Sequence, residues 1–199
     1  MQNQWDERYA RQEYIYGTEP NKFLKEQLCL LKPGRILFPA EGEGRNAVFA
    51  ASLGWETDAF DQSIEGHNKA IQLATQKGVS INYFIQPLNE WNPEPAQYDC
   101  IALIFVHLPE GLRQLVHHAA SKALKPGGTL LLKAFTIKQL ARSSGGPKTA
   151  ELLFTKEQIA SDFKNLLFTE VTETQTTLDE GPLHQGLADV IQLTALKPL

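Results

Sequence analysis

Arg35-Ile-Leu-Phe-Pro-Ala-Glu-Gly-Glu-Gly44, continued by Arg45-Asn-Ala-Val-Phe-Ala-Ala51, is a short apolar run, a turn carrying Gly42 and Gly44, and an alanine-rich segment suited to a helix. Asp61 follows at the end of the next apolar run, Thr57 to Phe60. That order is the layout of a nucleotide-type cofactor site. Glycines let the backbone approach a ligand, and an acid after the second strand accepts hydrogen bonds from ribose hydroxyls.

Working outward, strand-like runs at Ile36–Pro39, Glu56–Phe60, Ile81–Ile85, Asp99–Val106 and Thr129–Phe135 alternate with helical stretches near Arg45–Leu53, Ile64–Gln76 and Pro109–Leu124. Such βα alternation predicts a parallel sheet covered on both faces. Leu124-Lys-Pro-Gly-Gly128 is predicted to end a helix with glycine past its C-terminus. The last third breaks the pattern. A helix begins after Thr155 as N-cap with Gln158 in the box position. Leu167–Thr177 and Leu187–Leu196, joined through Asp179-Glu-Gly-Pro182, then leave no room for a crossover helix and predict an antiparallel hairpin.

The 199 residues suit one domain, and 42% hydrophobic with 21% charged residues is an ordinary globular balance. A net charge of -4 argues against nucleic acid as a partner. No apolar run reaches the ~20 residues of a membrane span. The polar start, Met1-Gln-Asn-Gln-Trp-Asp-Glu-Arg8, does not read as a secretory signal, and a cytoplasmic location is expected. Cys29 and Cys100 form no disulfide framework, and Cys100 in an apolar run reads as buried.

Gly42-x-Gly44-x-x-Ala47 with Asp61 also satisfies the dinucleotide fingerprint, so a nicotinamide-dependent oxidoreductase is one reading. A dinucleotide domain would continue with parallel units, however, and the closing hairpin does not. Across nearly its full length the sequence resembles the class I S-adenosylmethionine-dependent methyltransferases. The matching parts are Ala40-Glu-Gly-Glu-Gly44, Asp58-Ala-Phe-Asp61, Tyr98-Asp-Cys-Ile101 and Leu124-Lys-Pro-Gly-Gly128. Gly42 to Ala51 and Gly54-Trp-Glu-Thr-Asp-Ala-Phe-Asp61 are similar to the tellurite-resistance methyltransferases. Trp5-Asp-Glu-Arg-Tyr9, Tyr16-Gly17 and Pro20-Asn21 resemble the N-terminal lid of that group and of the thiopurine-type enzymes.

The resemblance implies an α/β, three-layer doubly wound fold: a seven-stranded, mostly parallel sheet with an antiparallel C-terminal hairpin strand. It implies a single domain with a helical preface at 1–34, a Rossmann-like core at 35–136, and a substrate loop, helix and hairpin at 137–199. It implies S-adenosyl-L-methionine as cofactor, with Gly42 and Gly44 along its methionine part, Asp61 on both ribose hydroxyls, and Gln62 and Ser63 near the adenosine. Ala40, Glu41 and Asn46 are expected to bind the cofactor with them, Leu88 to supply a backbone donor to the adenine, and Phe105 and His107 to face the methionine end or the substrate. Three positions depart from the family pattern. Phe38 and Pro87 stand where acids are usual, and Ala40 where glycine is usual; Glu41 or Glu43 then offers the missing negative charge.

Methyl transfer to a soft anion needs no base, whereas a hydroxyl or ammonium acceptor does. His184, in Glu180-Gly-Pro-Leu-His-Gln-Gly186, is read as a substrate-orienting group or proton acceptor, or else as a turn histidine. His107 is read as a pocket residue or a strand cap. His117, His118 and His67 read as solvated helix positions, with no metal site. Tyr9 and Tyr16 are candidates to close over a sulfonium through their ring faces, Trp5 and Phe23 read as core, and Trp55 and Trp91 as strand-edge packing. Arg45 is read as a contact to the cofactor carboxylate or substrate, or as a partner of Glu41 or Glu43, the pairing being favoured. Arg8 and Arg142 are read as anion-recognising lid residues or, the favoured reading, as loop cations without a specific role. The expected activity is methyl transfer to a small molecule, with a soft nucleophile such as a thiol or chalcogen favoured, in a monomer or homodimer. A methyltransferase-fold module without catalysis is the alternative that Phe38, Ala40 and Pro87 motivate.

Overall fold

The computed structural model describes residues 2–199. Seven strands form one sheet in the order β3-β2-β1-β4-β5-β7-β6. These are β1 (Arg35–Pro39), β2 (Glu56–Asp61), β3 (Asn82–Ile85), β4 (Tyr98–Ile104), β5 (Leu124–Phe135), β6 (Leu167–Asp179) and β7 (Gln185–Leu196). The first five pair in parallel; β7 runs antiparallel between β5 and β6. The expected sheet and its closing hairpin are both present.

The strands form where apolar runs can be covered twice. Ile36, Leu37 and Phe38, like Cys100 to Leu103, are buried on both faces, which is why they read as continuous runs without alternation. On one face α2 (Lys22–Leu28), α3 (Arg45–Ser52) and α4 (Ile64–Lys77) bring Phe23, Leu24, Ala47, Ala50 and Ala70 against Ile36, Phe38 and Leu131. On the other, α5 (Glu110–Ala123) and α6 (Lys156–Asp162) bring Val116, Ala120, Ile159 and Phe163 against Leu103, Leu132 and Leu193. Phe38 is thus a core side chain beneath α2 and α3.

Caps set the helix ends. The Ser63 hydroxyl accepts from Gly66 N to start α4, and Gly78 in the left-handed region ends it. Thr155 and Gln158 form the expected reciprocal box at α6. Lys125-Pro-Gly-Gly128 corrects an expectation. Leu124 leaves α5 directly into extended backbone, and Gly127, with φ 76, turns inside the first part of β5. There it pairs with the end of β7, Gly127 N donating to Lys197 O at 2.9 Å. The glycines serve a break in strand pairing opposite Asp99, where the register with β4 shifts.

Gly44 has a different reason. Its φ is 89, and a Cβ there would lie 2.5 Å from Ala70 Cβ on α4. Gly44→Ala is expected to destabilise by about 2–4 kcal/mol, from left-handed strain plus overpacking. Urea unfolding checks this; an unchanged midpoint would refute the close contact of α3 and α4.

Candidate active site

The order of strands reverses between β1 and β4, so the crevice where open α/β sheets bind ligands lies above their carboxyl ends. Both ends are strained. Ala40 after β1 has φ 53 and Phe105 after β4 has φ 56, costs of about 1–3 kcal/mol each that non-glycine residues rarely bear outside functional sites. Ala40, Gly42 and Gly44 are left-handed at alternate positions, which folds the chain from β1 into α3 within a few residues. Gly42 leaves no space for a side chain: a Cβ would sit 2.6 Å from the Tyr9 hydroxyl, and Tyr83 Oη donates to Gly42 O at 2.7 Å.

Asp61 ends β2, nearly buried. Its Oδ2 accepts from Gly42 N at 3.1 Å and its Oδ1 from Ser63 N at 3.0 Å. One carboxylate therefore fixes both the glycine turn and the first turn of α4. Burial pushes its pKa up, against the backbone N–H groups that lower it. Gln62 is half-buried beside it, and Ser63 Oγ donates to Asp6 at 2.6 Å, tying α1 (Gln2–Tyr9) to the start of α4. Glu41 Oε1 accepts from Asn46 N and Ala47 N, both at 2.8 Å, capping α3 where Gly44 has no side chain to do so. Burial raises its pKa to about 7 despite these bonds. Leu88 is half-buried against the core beside Trp91, and Pro87 opens the short turn 88–90 in extended geometry.

The N-terminal segment closes over this turn through groups far apart in sequence. Glu43 Oε2 accepts from Ile15 N at 2.8 Å, and its Oε1 from Lys69 Nζ at 2.8 Å. Arg45, expected to pair with Glu41 or Glu43, instead pairs with Glu180 in the β6–β7 turn at 2.6 Å and donates to Tyr16 O at 3.0 Å. Those two acids are committed to α3 and to the lid, which frees Arg45 for an acid 135 residues away. Asn46 Oδ1 accepts from Asn21 N at 2.9 Å, and Asn21 Nδ2 donates to Glu180 at 2.7 Å. Burial pushes the Glu180 carboxyl up, but the Arg45 guanidinium and the charge of Lys133 hold it down at about 2. Arg8 donates to Tyr16 Oη at 3.2 Å, and Arg142 pairs with Asp189 at 2.7 Å. Phe23 is core, whereas Trp5, expected there too, is half-buried, its face stacked on Tyr9 and covered by Arg8.

The two histidines singled out as candidates differ in environment. His107 sets Nδ1 2.7 Å from Leu152 O, and its Nε2 accepts from Phe135 N at 3.3 Å. Both nitrogens are engaged, and burial lowers its pKa to about 4. His184 is buried among Tyr16, Phe105 and Phe135, with ring centroids 4.6, 4.8 and 5.4 Å away. Its Nδ1 has no hydrogen-bond partner among the described residues; Glu180 Oε2 is 3.7 Å off, too far for one. Burial keeps the ring neutral at pH 7. The loop 143–147 covers it, since a Cβ on Gly145 would meet the His184 ring at 2.8 Å.

Two readings of helix surface change. His117 is buried and pairs with Asp162 of α6 at 2.8 Å, as does Arg113. The carboxylate partner lies 45 residues on, outside any local pattern. His67 is half-buried, its ring edge-on to Tyr83, while His118 is exposed. Glu180 and Lys133 also belong to the site without any local motif around them. Lys133 was visible as the one charge in Leu130-Leu-Leu-Lys-Ala-Phe135.

Comparison with known proteins agrees with this geometry. The methyltransferase domain family matches residues 36–128. Thiopurine S-methyltransferase of Legionella pneumophila (strain Corby) is 27% identical over 170 residues, covering 76% of this chain and 73% of that protein. TehB from Haemophilus influenzae superposes with a TM-score of 0.74 at 16% identity, over 98% of this chain and 66% of that one. The N-methyltransferase NodS from Bradyrhizobium japonicum, solved with S-adenosyl-L-homocysteine, gives 0.73 at 14% identity over 100% and 98%. Among the described residues no helix is long and apolar enough to cross a membrane, and no group of three or more potential metal ligands is found. With its sheet order, its glycine turn above the strand reversal and these relatives, the chain has the fold of the class I S-adenosylmethionine-dependent methyltransferases, with a methyltransferase domain over residues 36–128.

Proposed function

We propose that the chain methylates a small molecule at a soft nucleophilic atom, in the crevice above β1 and β4. The observation that carries this reading is the pair of strained residues, Ala40 and Phe105, at the adjacent ends of those strands, with the unpartnered His184 Nδ1 enclosed beside Phe105. S-adenosylmethionine supplies an activated methyl group on a sulfonium. The residues fit it: Asp61 at the end of β2 retains lone pairs for ribose hydroxyls and Leu88 offers an apolar wall, while Gly42 and Gly44, packed against Tyr9 and Ala70, shape the turn between them. Gln62 and Ser63 flank the adenosine side, and Tyr9 and Tyr16 close the crevice from the lid.

The chain's own work is to hold the acceptor in line and keep water out, which is worth up to about 7–11 kcal/mol. Tyr16, Phe105, Phe135 and the Gly145–Gly146 loop make that enclosure. Neutral His184 orients the acceptor or takes a proton from it. His107, with both nitrogens used, braces β4 against β5 and residues 150–152. The enclosed site favours a small acceptor, and the thiopurine S-methyltransferase relatives favour sulfur or a similar soft atom.

Calorimetric titration with S-adenosylmethionine and S-adenosylhomocysteine, followed by a panel of thiols, reduced chalcogens and amines, tests this. Micromolar binding to both and turnover of thiols or chalcogens are expected. Turnover confined to amines would refute the soft-acceptor reading. Absence of any binding would leave a fold without the activity.

A further inference from the structure

We propose that Lys133, set in the crevice floor beside the Phe105 ring, recognises the methyl acceptor and restricts it to a small anion; this rests on the methyl-transfer reading above. Lys133 stands near the C-terminal end of β5 among Leu131, Leu132, Ala134 and Phe135, all essentially buried, and is itself 2% exposed. Lysine is almost never fully buried without a partner. Among the described residues its Nζ makes no hydrogen bond or ion pair; it lies 5.6 Å from the centroid of the Phe105 ring, near the limit of a cation–π contact.

The charges around it do not cancel. Burial disfavours the ammonium most and pulls its pKa down; Glu180 and Glu26 favour it, while Arg45 and Lys22 oppose it. Lys22 and Glu26 lie on the exposed side of α2, and Glu180 is committed to Arg45 at 2.6 Å. Lys133 and Arg45 against Glu180 therefore leave one formal positive charge in the enclosure. An uncompensated buried charge is costly and calls for a counter-ion. The same Phe105 ring touches His184, whose Nδ1 is also unpartnered, so two unsatisfied polar groups flank one strained residue where the strand order reverses.

A thiolate, hydrosulfide or selenolate answers both groups. A protonated amine would be repelled by Lys133. The acceptor's lone pair forms the new bond to the methyl carbon, and the carbon–sulfur bond breaks with its electrons returning to sulfur. One anion and one sulfonium become two neutral products, and no proton has to move.

The test uses the full chain and the variants K133M, K133Q and K133R. S-adenosylhomocysteine titration comes first and should change by less than about 3-fold in all of them. Iodide, a soft monoanion, is then titrated with and without S-adenosylhomocysteine, and 4-nitrothiophenolate serves as a chromophoric acceptor. Loss of the charge in K133M and K133Q should weaken iodide and raise KM for the thiolate by about 10- to 100-fold, with kcat changed less and K133R recovering part. Their melting temperatures should be equal or higher, because an unpaired buried charge has gone. Iodide binding that is absent from the natural chain, or unaltered in K133M and K133Q, overturns the proposal. Failure of the natural chain to bind S-adenosylhomocysteine while still binding iodide through Lys133 would overturn the methyl-transfer reading alone.

Discussion

Replacing Asp61 with alanine should weaken S-adenosylhomocysteine binding by about 100-fold or more. Each hydrogen bond from a ribose hydroxyl to a charged acceptor is worth roughly 1.5–3 kcal/mol, and the proposed site makes two. The same change removes the acceptor for Gly42 N and Ser63 N, so it should also cost about 1–3 kcal/mol of stability. Asp61→Asn keeps one acceptor oxygen and should fall between. Calorimetry on protein shown folded by circular dichroism separates the two losses. Undiminished affinity in the alanine variant would remove Asp61 from the cofactor site.

Glu180→Ala should destabilise the fold by about 3–5 kcal/mol, because it strands Arg45 in a buried position. The double variant Arg45→Met, Glu180→Met should recover much of that loss. The pair also predicts a pH dependence. The folded pKa of Glu180, about 2, lies below the usual value of 4.5, so the pair's stabilisation is complete above about pH 5 and disappears as pH falls toward 2. The gap in urea midpoint between the natural chain and Glu180→Ala should therefore narrow from pH 7 to pH 3. A gap that stays constant would show that Glu180 is not charged in the pair. Cleavage after Arg8 or Arg11 by trypsin should accelerate in the variant, since Glu180 also holds Asn21 and, through Arg45, Tyr16 O.

The sequence disclosed what is local. Parallel strands such as β1 and β4 are covered on both faces, so their apolar runs are legible without knowing their neighbours. The box at Thr155 and the glycine turn are contained in a few residues, and both are found where the spacing puts them. What stayed hidden depends on residues that meet only in the folded chain. His117 read as solvated because Asp162 arrives from another helix. Arg45 has acids beside it in sequence, whereas its partner Glu180 lies 135 residues on. Gly127 and Gly128 look like a helix end because nothing local shows that the chain at Lys197 runs alongside them. Lys133 passed as part of an apolar strand although its charge was in plain view.

The insertion of β7 between β5 and β6 imposes an order on synthesis. When residue 135 has left the ribosome, the five parallel strands can assemble, but β5 then offers an open row of backbone donors and acceptors. The strand that covers it, β7, follows β6 in the chain, and β6 joins the sheet through β7. The nascent domain thus waits some sixty residues, about 3–12 s at ribosomal speed, with a sticky flank exposed. The lid waits as long, since Glu180 emerges just ahead of β7. Chains arrested before residue 185 should consequently be chaperone clients, unable to shut the crevice that their first half has already built.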